Sequence, residues 1–281
     1  MERLQEAISR ARTRREQGSD AAPSERAPHS DTPRQPRPPS DAAGDVWTSI
    51  TPLTPNERLL KAHRLVAFFG GKQAAAFDMM RTKVLKQTAA NGWRRIVITS
   101  PGAQSGKTTV TANLAFSLAR QTELRVLAIE VDMRRPQMSA ILGVKHNVAF
   151  ARYMSGEDDA FADHMVRYGD NLVFACNTVP AVNSSELLHS SRARERLDNL
   201  EQVFQPDIVL FDAPPVMPSD DALAFLDYAD CAMIVAAAER TTMNDLDTTE
   251  AEVAAATNVL GVVLNKSRYG SGSDVYDDTY Y

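Results

Sequence analysis

The stretch RRIVITSPGAQSGKTTVTANLAFSLAR, residues 94–120, constrains the fold more than any other part of the chain. An apolar run ends in a loop of small residues. Gly106-Lys107-Thr108 follows and opens a helical pattern. A strand that stops at such a loop and restarts as a helix aims successive backbone N–H groups at one point, where the helix dipole also favours negative charge. Gly106 lets the backbone approach an anion closely. Lys107 has the reach for outer phosphates, and the Thr108 hydroxyl is a magnesium ligand in such loops. Gly102, Ser105 and Thr109 complete the expected phosphate-contacting set. The spacing departs from G-x-x-x-x-G-K-[ST], because Pro101 stands where the first glycine is expected and Gly102 follows it. The segment predicts a nucleotide site that takes ATP and Mg2+.

Around this loop, near-continuous apolar runs (RIVITS, RVLAIEV, NLVFAC, DIVLFDA, CAMIVAAA, VLGVVLN) alternate with helical segments. Strands that apolar throughout belong to a sheet covered on both faces. The alternation predicts an α/β, doubly wound, mostly parallel sheet. RLVAFF reads as an edge strand, TPNERLLKAHRL as a helix capped by Thr54, and SELLHSSRARERLDNLEQVF as one helix. Phosphoryl chemistry needs carboxylates at neighbouring strand ends. Asp212 closes the run DIVLF before Ala213-Pro214-Pro215, where a metal-holding aspartate is expected. Glu130 and Asp132 follow RVLAI. Side chains alternate along a strand, so both are expected to face the phosphates, one taking a hydroxyl proton and the other supporting the metal.

Four zones divide the 281 residues. Residues 1–17 carry Met1, Leu4, Ile8 and Ala11 at helical spacing, a short amphipathic helix. Residues 18–45 hold six of the 15 prolines and almost no large apolar residues, so a disordered linker is expected there. Residues 46–268 form the P-loop domain. Residues 269–281 are a tail with Tyr269, Tyr276, Tyr280 and Tyr281, four of the seven tyrosines. A net charge of −5 gives no footing for a general nucleic-acid binder. The two cysteines, Cys176 and Cys231, lie in apolar runs and read as buried thiols. No apolar stretch approaches the ~18 residues of a membrane span. A cytoplasmic protein is expected, reaching the inner membrane face through a partner.

The segments SPGAQSGKTT, EVDMRRP, SSELLHS, VLFDAPPV with Asp221-Ala222 following, GVVLNK and the terminal tyrosines run in this order over about residues 56–281. Together they resemble the bacterial tyrosine autokinases (BY-kinases) of capsule and exopolysaccharide assembly. The likeness is greatest to the cytoplasmic kind that works beside a separate integral-membrane polysaccharide co-polymerase. The resemblance implies a P-loop NTPase fold of MinD/ParA type. In it Lys107 and Thr108 bind phosphate and magnesium, and Asp132 and Asp212 complete the metal site. Glu130 stands at the base position, and Asn265 reaches the nucleobase. The tyrosine tail is then the substrate, the co-polymerase the activator, and self-association is expected. Three departures stand out. Glu130 replaces an aspartate. Ala75, Asp78 and Arg81 replace the E-x-x-R-x-x-R that helps such subunits form a ring. The loop glycine is displaced. Two other readings stay open: an ATPase switch like the septum-site and chromosome-partitioning proteins, and a nucleotide-binding regulatory subunit with weak catalysis. Gly102 stands where the switches carry a lysine.

Overall fold

The computed structural model describes residues 46–267, apart from Val182 and Ser219. The expected helix at 1–17, linker at 18–45 and tail at 269–281 lie outside the described residues. The strands are β1 (Arg95–Thr99), β2 (Val126–Glu130), β3 (Met165–Tyr168), β4 (Leu172–Ala175), β5 (Ile208–Asp212), β6 (Cys231–Ala237) and β7 (Asn258–Asn265). They form a seven-stranded sheet in the order β3-β4-β2-β5-β1-β6-β7. Every neighbouring pair is parallel except β3 with β4. The helices are α1 (Glu57–Ala62), α2 (Val66–Phe69), α3 (Ala75–Asn91), α4 (Lys107–Ala119), α5 (Met138–Leu142), α6 (Phe150–Ser155), α7 (Ser184–His189), α8 (Ser191–Phe204), α9 (Asp220–Leu226) and α10 (Met243–Ala256).

The strand pattern explains the two cores. In β5, Val209 and Phe211 join one buried cluster while Ile208 and Leu210 join the other. β1 and β2 divide their residues the same way, as the two-residue period requires. On one face α4 contributes Val110, Leu114, Phe116 and Leu118. On the other, α8 contributes Ala193, Leu197, Leu200 and Phe204, a single helical stripe.

Three local expectations are corrected. RLVAFF forms α2, not an edge strand: Arg64 turns the chain at φ 58° and Asn113 of α4 accepts the Ala67 N–H at 2.9 Å. The edge strands are β3, antiparallel to β4, and β7. Asn56, not Thr54, caps α1, its side chain accepting the Leu59 N–H. The long helix breaks at Ser190, whose ψ of 138° leaves the helical region and whose hydroxyl caps α8 by accepting the Ala193 N–H at 3.0 Å.

The topology fixes the site. β5 lies between β1 and β2, with Asp212 paired to Ile98 on one side and to Glu130 on the other. The loop after β1 and the acids of β2 and β5 therefore share the carboxyl edge of the sheet, where open α/β sheets bind ligands. α3 is locked to α4 by a polar cluster. Asp78 accepts from Ser117 at 2.7 Å and from Arg120 at 2.7 Å, while Arg81 donates to the Ser117 carbonyl at 2.9 Å. Two of the three positions that would hold the ring motif are thus spent within the chain. Asp78→Ala should lower unfolding free energy by about 1–3 kcal/mol, measured in urea, with an unchanged gel-filtration volume.

Candidate active site

The phosphate loop is shaped by what its carbonyls bond to. The Gly102 carbonyl accepts from the Ser100 hydroxyl at 2.7 Å and the Ser105 hydroxyl at 2.9 Å. The Ser105 carbonyl accepts from Asn265 Nδ2 at 2.8 Å, and the Gln104 carbonyl from Lys266 Nζ at 2.7 Å. Among the described residues, the N–H groups of residues 103–106 donate to no acceptor. Gly106 sits at φ +89°, and a Cβ there would meet Asn265 Nδ2 at 2.3 Å, so only glycine fits. Thr109, half-buried in the first helical turn, gives its carbonyl to the Asn113 amide at 2.8 Å.

Lys107 begins α4 and is buried, with Nζ 3.8 Å from Asp132 Oδ2. Asp212 is fully buried. Thr111 Oγ1 lies 3.5 Å from its Oδ1, and its Oδ2 has no hydrogen-bond partner. Burial pushes the Asp212 carboxyl up to about 7, against Lys107 and the Thr108 hydroxyl, which pull it down. Burial also raises Asp132, again opposed by Lys107. A buried carboxylate oxygen without a partner costs free energy unless something polar meets it. Here it lies beside a threonine hydroxyl and a lysine, the hard-oxygen setting that magnesium takes. No group of three His, Cys, Asp or Glu among the described residues could hold a metal alone. A cation here needs phosphate oxygens too, as magnesium in nucleotide sites does. Thr108, Asp212 and Asp132 would hold it, and Lys107 would face the phosphates.

The expectation that Glu130 and Asp132 face one side is corrected. The N–H groups of Val131 and Asp132 both converge on the Asp212 carbonyl at 2.9 Å, so β2 ends and its alternation stops. The buried Glu130 carboxylate accepts the N–H groups of Gln137 at 2.6 Å, Met138 at 2.7 Å and Asn177 at 2.9 Å. Burial raises its pKa to about 8, with the negative charge of Asp212 adding to the rise and the three N–H donors opposing it. Both oxygens are engaged in holding two loops. Asp132, which has Lys107 beside it, is the carboxylate left at the phosphate edge.

Several residues at the site have no role assigned from the sequence. Asp221, buried at the start of α9, pairs with Arg134 Nε at 2.9 Å, and Ser184 Oγ accepts from the same nitrogen at 3.1 Å. Thr111 sits one turn into α4 behind Thr108, a spacing that could have flagged it. Lys266 follows Asn265 directly, yet nothing local announces that it reaches the loop. Among the described residues no helix is long and apolar enough to cross a membrane.

The loop, the helix it opens and the acids on adjacent strands coincide with a known domain. The match to the CobQ/CobB/MinD/ParA nucleotide binding domain spans residues 96–279. This chain belongs to that family. AmsA of Erwinia amylovora is 33% identical over 180 residues, 63% of this chain and 24% of AmsA. CapB of Staphylococcus aureus is 27% identical over 204 residues, 71% of this chain and 87% of CapB. Both are named as tyrosine-protein kinases. The chain thus spans about a quarter of AmsA. The kinase domain of Escherichia coli tyrosine kinase ETK superposes with a TM-score of 0.63 at 24% identity, covering 74% of this chain and 80% of that one. The chimerical protein CapA2B2 gives 0.66 at 24% identity, covering 80% and 99%. At that identity these two establish the mostly parallel fold alone, and the domain match gives its MinD/ParA type.

The raised Asp212 pKa carries a sign. Its folded value of about 7 lies above the ordinary 3.8, so the fold favours the protonated form. That contribution is complete below 3.8 and is lost as pH rises through 7. Near pH 8, nucleotide-free Asp212→Asn should be more stable than the native protein by roughly 2–4 kcal/mol. The same variant should lose magnesium-dependent stabilisation by nucleotide. Chemical denaturation with and without magnesium nucleotide reads both effects.

Proposed function

We propose that this chain is an ATP-dependent protein-tyrosine kinase that phosphorylates its own terminal cluster, Tyr269, Tyr276, Tyr280 and Tyr281. The observation that carries the reading is the Lys107–Asp132 contact, 3.8 Å, at the edge where Asp212 keeps an unpartnered oxygen. Relatives named as tyrosine-protein kinases support the choice of reaction. Lys107 and the loop amides bind the β- and γ-phosphates. Thr108, Asp132 and Asp212 would hold magnesium, which would supply positive charge to the transferred group. Asp132 takes the phenolic proton, since Glu130 is committed to backbone amides. A tethered acceptor works at an effective concentration of up to about millimolar.

The likeness to the kinases of capsule and exopolysaccharide assembly extends the proposal. The chain acts in the cytoplasm, at the membrane face, with an integral-membrane polysaccharide co-polymerase as activator. Tail phosphorylation, nearly two negative charges per site, alters self-association and with it polymer export. The superposition on CapA2B2, itself a chimera, is in keeping with such a partnership. One observation favours a second reading, a regulatory subunit with weak catalysis: the engagement of both Glu130 oxygens.

Mass spectrometry after incubation with MgATP should find phosphotyrosine in the tail, and Lys107→Ala should abolish it. At saturating MgATP, Asp132→Asn should slow transfer by about 100- to 10,000-fold, the usual worth of a general base, and, because Asp132 also holds the metal, it should weaken magnesium-dependent ATP binding. ATP turnover over an unmodified tail would reject the kinase reading. Tight binding without turnover, activator present, would favour the regulatory one.

A further inference from the structure

The phosphate loop is gripped from one side by the end of β7. Asn265 Nδ2 donates to the Ser105 carbonyl at 2.8 Å, and Lys266 Nζ to the Gln104 carbonyl at 2.7 Å. The Lys266 N–H donates to Asn265 Oδ1 at 2.8 Å, which fixes the amide so that its NH2 end faces the loop. The Asn265 carbonyl in turn accepts the Ala238 N–H at 2.8 Å, and Arg240 Nη1 meets Gln104 Oε1 at 3.1 Å. Gln104 and Lys266 are both held in the left-handed region, at φ 62° and 60°. Such conformations persist where surrounding contacts over-determine them.

A trans peptide plane sets its C=O and the next N–H in opposite directions. Holding the Gln104 carbonyl therefore aims the Ser105 N–H away from β7, and holding the Ser105 carbonyl aims the Gly106 N–H likewise. Both N–H groups lack an acceptor among the described residues. Gly106 is what allows the grip, since a Cβ would sit 2.3 Å from Asn265 Nδ2.

We propose that Asn265 and Lys266 are positioning residues of the phosphate loop, acting on the triphosphate through Ser105 and Gln104. Asn265 is not in this account a nucleobase contact, the role the family resemblance implies. The inference rests on the nucleotide-binding reading but not on tyrosine transfer. Inorganic tripolyphosphate, which has no base, separates the two roles. Calorimetric titration of the full chain with ATP and with tripolyphosphate, both with magnesium, should show Asn265→Ala weakening the two ligands by the same factor, roughly tenfold. This variant changes no charge. Lys266→Ala, at an exposed side chain, should weaken both by about threefold or more and keep that loss at high salt, where a simple charge effect would shrink. If Asn265→Ala melts early, the lysine variant decides. Weaker ATP binding with unchanged tripolyphosphate binding would make Asn265 a base contact and overturn the proposal. Unchanged affinity for both ligands would overturn it as well. Native protein that bound neither would remove the nucleotide reading and this inference together.

Discussion

A buried lysine facing buried carboxylates is the interaction on which the rest of the structure depends. Lys107 and Asp132 are both largely withdrawn from water, and Asp212 is wholly so. Desolvating such charges is costly, and one ion pair at 3.8 Å does not satisfy all three groups. The rise of the Asp212 pKa toward 7 expresses that cost. A magnesium triphosphate would supply the missing positive charge for the aspartates and the missing negative charge for the lysine. The arrangement is therefore preorganised for a ligand at some expense to the protein's own stability, as binding sites often are.

Much of this was legible in the sequence. The strand–loop–helix around Gly106-Lys107-Thr108 and the strand-end Asp212 are local patterns, and local patterns survive folding. The doubly wound sheet followed from alternating apolar runs and helices. The misreadings were tertiary. VAFF is apolar enough for a strand, but Asn113 and Phe116 of α4 seat it as a helical turn. β3 was passed over because Met165–Tyr168 is short and takes its pairing from β4. Glu130 was misdirected because alternation was extended past the last ladder residue. The Asp221–Arg134 contact joins positions 87 residues apart and has no local signal.

Glu130 shows how one methylene redistributes work at a site. The longer side chain lets its carboxylate reach the amides of Gln137, Met138 and Asn177 and tie α5 and the loop after β4 to the sheet. Such a carboxylate is a clamp, and in the proposed reaction the proton-accepting role falls to Asp132. At the other end of the loop, Asn265 and Lys266 hold carbonyls so that neighbouring amides point outward. Asn265 ends β7 and Lys266 follows it directly.

The most direct test of the central claim is a crystal structure of the chain with magnesium and a non-hydrolysable ATP analogue. The account predicts the metal about 2.0–2.1 Å from Thr108 Oγ1, Asp212 Oδ2 reached directly or through one water, and Lys107 Nζ on the β- and γ-phosphates. A triphosphate bound away from residues 102–108, or a metal with no path to Asp212, would contradict it.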